Sequence, residues 1–169
     1  QAPRVCIGFD ARHKSERFAR ECAGILTAKG IQVLVFESAV PTPVLAFSSV
    51  DLECSAGIIF TASHNPPAYN GAKLYLEGGR QVLPDDADTL ADAMERIDSV
   101  GKMSRMDEDE ARSRGLWKSL GEAQEARYLQ RVMDQVNTKA SGLQLAYSPM
   151  CGVGGRFAIQ LFQRLGIQQ

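Results

Sequence analysis

An excess of charge of either sign is missing from this sequence: 19 Lys and Arg stand against 20 Asp and Glu, a net charge of −1. Such a balance provides no field to draw nucleic acid or an anionic membrane surface, and no basic stripe runs along the chain, so neither is expected as a partner. Long apolar runs are missing too. None approaches the roughly 20 residues that a helix needs to cross a bilayer, and the first residues carry no charged-then-apolar signal pattern. The expectation is a cytoplasmic protein. Cysteine is sparse, and Cys6, Cys22, Cys54 and Cys151 form no Cys-x-x-Cys pair. Each has apolar neighbours in sequence, as reduced packing cysteines do. No Gly-x-Ser-x-Gly elbow and no P-loop or Gly-x-Gly-x-x-Gly fingerprint is present. What remains is an ordinary globular composition, 44% hydrophobic, in 169 residues, room for one domain and the start of another.

One stretch stands out from this background. Ala56 to Phe60 is a short apolar run with β-branched and aromatic residues, a buried strand by pattern. It stops at Thr61-Ala62-Ser63-His64-Asn65-Pro66-Pro67, and Lys73-Leu74-Tyr75-Leu76 resumes a strand pattern. The two prolines fix φ and remove two backbone donors, so the connection is stiff. Asn70-Gly71 is expected to make the tight reversal. The loop gathers a hydroxyl (Ser63), an imidazole (His64), an amide (Asn65) and, beyond the turn, an ammonium (Lys73), a mixture suited to chemistry on an anion. Ser and Asn also serve in such loops simply to bond the backbone. Residue types alone leave both readings open.

Before this loop, Val5 to Phe9 reads as a first strand, and Phe18, Cys22, Ile25 and Leu26 recur at helical spacing until Lys29 and Gly30 stop the helix. Ile31 to Phe36 is a second strand, expected parallel to the first through a right-handed crossover. Pro43 stands near the first turn of a short helix bearing Val44, Leu45, Phe47 and Val50. Strand, helix, strand, helix, strand and an antiparallel return predict an α/β fold: a three-layer α/β/α domain with a small, mixed, mostly parallel sheet. Ligands gather at the carboxyl ends of parallel strands, and Gly8 to Arg12 and the Ser63 loop both fall there.

Farther on, Leu90, Met94 and Ile97 share a helical face opened by Asp85, Asp86 and Asp88. The Asp107-Glu108-Asp109-Glu110 run lacks the alternating spacing of a metal loop and reads as solvated. Leu129, Val132, Met133 and Val136 form another helical stripe, expected to close the first domain. Leu143 to Tyr147 alternates as a strand, and Ser148 to Gly155 is a glycine-rich loop before a helix with Phe157, Leu161 and Phe162. Residues 164–169 echo 28–33, where a helix stops and a strand begins. The sequence therefore divides into a domain over 1–140 and the truncated start of a second over 141–169, whose Phe157, Leu161 and Phe162 should stand exposed.

Thr61-Ala62-Ser63-His64-Asn65-Pro66-Pro67 with Asn70-Gly71-Ala72-Lys73 resembles the active-site loop of the α-D-phosphohexomutases, the phosphoglucomutase/phosphomannomutase superfamily. Asp10-Ala11-Arg12 and Val40-Pro41-Thr42-Pro43 resemble two further family segments, in the family's order. Ser148-Pro149-Met150-Cys151-Gly152-Val153-Gly154-Gly155 is similar to Thr-Pro-Met-His-Gly-Val-Gly-Gly at the start of the second domain of the phosphopentomutase-like and bacterial phosphomannomutase-like subgroup. Ser148 and Cys151 depart from it, and Cys151 inherits no role from that histidine.

The resemblance implies a sugar 1-phosphate to 6-phosphate (or 5-phosphate) mutase working through a phosphoserine at Ser63 and a sugar bisphosphate, which also serves as activator. His64 and Lys73 become the acid and base, and Arg12, Thr61 and Asn65 the phosphate-binding set. Mg²⁺ would sit on an oxygen of the phosphorylated Ser63, its other ligands coming from an Asp-Gly-Asp-x-Asp-Arg loop absent from this sequence. The chain alone is expected to be inactive and to need the remaining domains of a parent protein. A non-catalytic sugar-phosphate-binding module is the competing reading, and a serine hydrolase a weaker one.

Overall fold

A computed structural model describes residues 2–97, 99–137, 140 and 142–167. Six strands form one sheet: β1 (Arg4–Phe9), β2 (Gln32–Phe36), β3 (Ala56–Phe60), β4 (Ala72–Leu76), β5 (Arg80–Gln81) and β6 (Trp117–Leu120). Their spatial order is β5-β4-β3-β1-β2-β6. β1 pairs parallel with β2 and β3, and β2 with β6, while β4 returns antiparallel to β3 and β5 to β4. The expected α/β architecture with a mixed, mostly parallel sheet is what the chain builds. The helices are α1 (Ser15–Ala28), α2 (Thr42–Asp51), α3 (Pro84–Glu95), α4 (Glu108–Ser113), α5 (Glu122–Met133) and α6 (Gly155–Arg164). Among the described residues none is long and apolar enough to cross a membrane.

Strand alternation divides the core between two faces. Val5, Ile7, Phe9, Val33 and Val35 meet Ala19 and Ala23 of α1 and Ala111 of α4. Cys6, Leu34 and Phe36 meet Val44 and Leu45 of α2, Leu129 of α5 and Phe157 of α6. The second face is packed closely at the carboxyl end of β1: a Cβ on Gly8 would lie 3.1 Å from both Leu45 Cδ1 and Val40 Cγ2. Glycine there lets α2 and its leading loop approach the sheet.

Several expectations change. The buried face of α1 is Ser15, Ala19, Ala23 and Thr27, one residue off the anticipated phase, and Phe18 is 38% exposed, its ring 6.2 Å from that of Phe60. Small residues win that face because the helix lies close to its neighbours; a Cβ on Gly24 would be 3.0 Å from the Met106 carbonyl oxygen. Met94 and Ile97, read as sharing a helical face with Leu90, are exposed, as is Val136 beyond the end of α5. The acidic run, read as a solvated loop or helix face rather than a metal site, is the start of α4: Asp107 caps it by accepting from the Asp109 N–H, and Glu108 pairs with Arg20 and Arg112. The charged stretch hid β6, a four-residue edge strand with only Trp117 and Leu120 buried.

Residues 143–147 form no strand, because no neighbouring strand among the described residues offers them a ladder, and their side chains are exposed. The strand expected at the end of the chain falls on residues 168–169, outside the described residues. Phe157, anticipated as exposed, is 4% exposed, with Tyr128 edge-on at 6.1 Å, and Leu161 is partly buried on the same cluster. Arg156 reinforces this contact by pairing with the buried Glu125 and donating to the Ala39 carbonyl (3.0 Å). Helix α6 thus has a face of its own to cover on α5. Of the cysteines, Cys6 and Cys54 are buried and Cys22 partly so, but Cys151 is exposed, in a turn closed by the Gly152 N–H on the Pro149 carbonyl.

Two outcomes follow from this packing. Phe157→Ala should destabilise the chain by about 3 kcal/mol, the usual cost of emptying a buried aromatic site, and urea unfolding would read it; an unchanged midpoint would mean that α6 is not docked. Burial pushes the Cys22 thiol up to about 11, so at pH 8 only about a thousandth of it is thiolate, the reactive form. Timed alkylation with mass mapping should therefore modify Cys151 first and Cys6, Cys22 and Cys54 only on unfolding.

Candidate functional site

The carboxyl ends of β1 and β3 lie side by side, Phe9 opposite Phe60, and the Asp10 N–H donates to the Phe60 carbonyl (3.1 Å). Both candidate loops therefore leave the sheet at one edge. The Ser63 loop closes with the Thr61 N–H on the Gly71 carbonyl (2.9 Å). Between these ends the reversal is made by two turns, Asn65 N–H to Ala62 carbonyl (3.1 Å) and Tyr69 N–H to Pro66 carbonyl (3.0 Å). Asn70-Gly71 does not make it, contrary to the sequence expectation. The loop is long enough to turn upstream, and Gly71 is instead the close-approach residue, where a Cβ would come 3.3 Å from the Thr61 oxygen.

Arg12 organises the loop. Its guanidinium donates to the carbonyls of Ser63 (2.6 Å), Pro66 (2.8 Å) and Tyr69 (3.3 Å), and its Nε to Asp10 Oδ2 (3.1 Å). The planar fork of arginine suits such divergent acceptors, which a lysine could not satisfy together. Asp10 Oδ1 also accepts from the Arg12 backbone N–H (3.0 Å) and from the Ser15 hydroxyl (2.7 Å). Asn70 Nδ2 donates to Ser15 Oγ (2.8 Å) and to the His13 carbonyl (3.1 Å). Expected as a phosphate ligand, Arg12 here directs four N–H contacts to the protein itself. Sequence reasoning named neither Ser15 nor Asn70 as part of the site; a serine at the start of a helix carries no signal of a partner 55 residues away.

Ser63 is exposed and sits at φ 56°, left-handed backbone that a non-glycine residue adopts at a cost of about 1–3 kcal/mol. Thr61, 7% exposed, accepts the Ser63 N–H on its hydroxyl (3.0 Å), so its part here is in the loop backbone. His64 and Asn65 project from the exposed loop, and no hydrogen bond joins Ser63 to His64. Lys73, partly buried, lies on β4 opposite Ile59, one step inside the mouth of the loop, and makes no ion pair among the described residues. Two grooves of the described surface lie away from the loop, one between α2 and α5 and one beside α1 and Trp117. The Ser63 loop stands on open surface. No group of three or more His, Cys, Asp or Glu side chains that could hold a metal occurs among the described residues.

A strained, exposed serine on a clamped loop at the carboxyl edge of a mixed α/β sheet defines an α/β domain that carries its loop on a rigid frame. The family model described as phosphoglucomutase/phosphomannomutase, alpha/beta/alpha domain I, matches residues 1–101, and the chain belongs to that family. It is 33% identical to a Staphylococcus haemolyticus phosphoglucomutase over 170 residues, 98% of this chain and 30% of the relative. With a Corynebacterium efficiens phosphoglucosamine mutase it shares 31% over 166 residues, 97% and 35%. A crystal structure from Thermus thermophilus assigned as a phosphomannomutase superposes with a TM-score of 0.76 at 25% identity, covering 99% of this chain and 36% of that one. The chain thus spans about a third of the length of these relatives.

The clamp makes a direct prediction. Arg12→Lys should leave the unfolding midpoint nearly unchanged, since the loop is surface structure, while amide exchange at Thr61, Asn65 and Tyr69 quickens; protection equal to the parent's would show that the carbonyl contacts do not hold the loop.

Proposed function

We propose that this chain is the phosphoryl-carrying part of a phosphosugar mutase, with Ser63 as the group that gives and takes the phosphoryl. The observation that carries the reading is Ser63 itself, exposed and held at φ 56° on a clamped loop at the ligand edge of the sheet. Membership of the phosphoglucomutase/phosphomannomutase family supports the same reading. In the first half-reaction the Oγ–P bond of phosphorylated Ser63 breaks as a P–O bond forms to a free sugar hydroxyl. The hydroxyl proton passes to a base and Ser63 Oγ regains a proton. After the bisphosphate turns round, its other phosphoryl group returns to Ser63. His64 and Lys73 are the acid and base on this reading. Lys73 also places a positive charge where transferring phosphoryl oxygens develop negative charge. Asn65, next to His64 in sequence, would bind phosphate. Arg12 has one N–H beyond its four contacts to offer the phosphate.

Mg²⁺, when bound, would neutralise phosphoryl charge. The described residues hold no carboxylate cluster to carry it, so this chain would contribute one ligand, an oxygen on phosphorylated Ser63. The division into a domain over 1–140 and the beginning of a second over 141–169 belongs to the same proposal, with the sugar-reading surfaces and further metal ligands on other parts of a longer protein; by itself the chain would be inactive. The hydrolase reading loses ground to the absence of a Ser63–His64 hydrogen bond, the contact that activates a hydrolase serine.

The test is made in the full-length protein, assayed with hexose 1-phosphate and a trace of bisphosphate. Ser63→Ala should lower kcat by on the order of 10³-fold or more with the fold intact, and Lys73→Met by roughly 10²-fold. Substantial turnover in Ser63→Ala would remove the serine from the mechanism, and an unaffected Lys73→Met would make that lysine a surface charge.

A further inference from the structure

Two restraints on the Ser63 loop meet at one carboxylate. Through Oδ2, Asp10 orients the Arg12 fork that holds the carbonyls of Ser63, Pro66 and Tyr69. Through Oδ1 it accepts from Ser15, whose oxygen in turn accepts from Asn70, a residue just before the strand resumes. Ser15 is fully buried and the side chains of Arg12 and Asp10 are only 12% and 16% exposed, so water competes weakly for the bonds that join Asp10, Arg12, Ser15 and Asn70. The strained φ of Ser63 needs such a frame, because an unrestrained loop would relax to an unstrained conformation.

We infer that Asp10, Ser15 and Asn70 form a positioning relay that holds Ser63 Oγ in line for phosphoryl transfer, a role distinct from binding the sugar. None of the three is expected to touch the phosphoryl group: Asp10 is occupied by Arg12 and Ser15, and Ser15 lies beneath the loop. The inference rests on the phosphoryl-transfer reading above. It assigns the relay to the geometry of the reacting atom, so loss of the relay is felt in kcat and not in KM. A displacement of about 1 Å at a reacting centre lowers turnover by about 10²-fold.

The experiment uses the full-length enzyme with Asn70→Asp, Ser15→Ala and the double variant. Asn70→Asp keeps the side-chain shape at the end of the loop while removing the amide donor, and unlike Ser15→Ala it alters no fully buried residue. The expected result is a kcat lowered about 10- to 100-fold in each single variant, an unchanged KM, faster amide exchange at Thr61 and Asn65, and a double variant no worse than the poorer single, as for two links of one chain. A variant with loosened exchange but full kcat would overturn the relay, as would a defect confined to KM or a double variant in which the two losses multiply. The phosphoryl-transfer reading is judged separately, by whether the unaltered enzyme carries phosphate on Ser63 during turnover. If it carries none while the variants still loosen the loop, that reading fails and the mechanical link between Asp10 and the loop stands.

Discussion

The hydrogen bonds from the Arg12 guanidinium to three main-chain carbonyls are the constraint on which the site depends. The connection between β3 and β4 would otherwise be free to sample many shapes, and fixing each residue costs about 1–2 kcal/mol in backbone entropy. Two prolines remove part of that freedom. The charged fork, aimed by Asp10, removes more, because charge-assisted bonds of this kind are roughly twice as strong as neutral ones. Ser63 can therefore be both strained and exposed, a combination that a loose loop could not sustain.

The frame beneath is stiff for reasons of packing. β1 is central, paired parallel on both sides, with apolar layers above and below. The Val40 N–H bonds the Phe9 carbonyl while Arg156 holds the Ala39 carbonyl, so the loop after β2 is tied to the mouth of β1 and to α6. The residues from which Asp10 and Arg12 spring are thus fixed from three directions, and the clamp works against a support that does not give.

Much of this was legible in the sequence. The apolar runs Val5–Phe9, Ile31–Phe36 and Ala56–Phe60 marked the central strands because parallel strands covered on both faces need continuous hydrophobicity. The Ser63 loop stood out because two prolines and three functional side chains in five residues are unusual. Less legible was whatever depends on distance of approach. The phase of α1 was misjudged because large residues were expected to face the sheet, whereas Ala19 and Ala23 do so, and Gly24 lets the helix approach the Met106 carbonyl. β6 was hidden by its brevity and its charged surroundings. The alternation of 143–147 was genuine, but a strand exists only where another strand receives its hydrogen bonds. Ser15 and Asn70 look like any helix-start serine and turn asparagine, and only the folded chain brings them within 2.8 Å.

Because Arg12 grips carbonyl oxygens, it is indifferent to what side chains the gripped residues carry. Ala68 and Tyr69, at the tip of the loop after the prolines, are exposed, and the structure asks of them only a backbone path. Shape and chemistry are thereby uncoupled within one short segment: the path is inherited from Asp10 and Arg12, while the tip side chains can be exchanged in evolution without disturbing the serine a few residues away. A lineage could vary the side chains at the tip and leave the backbone at Ser63 where it stood.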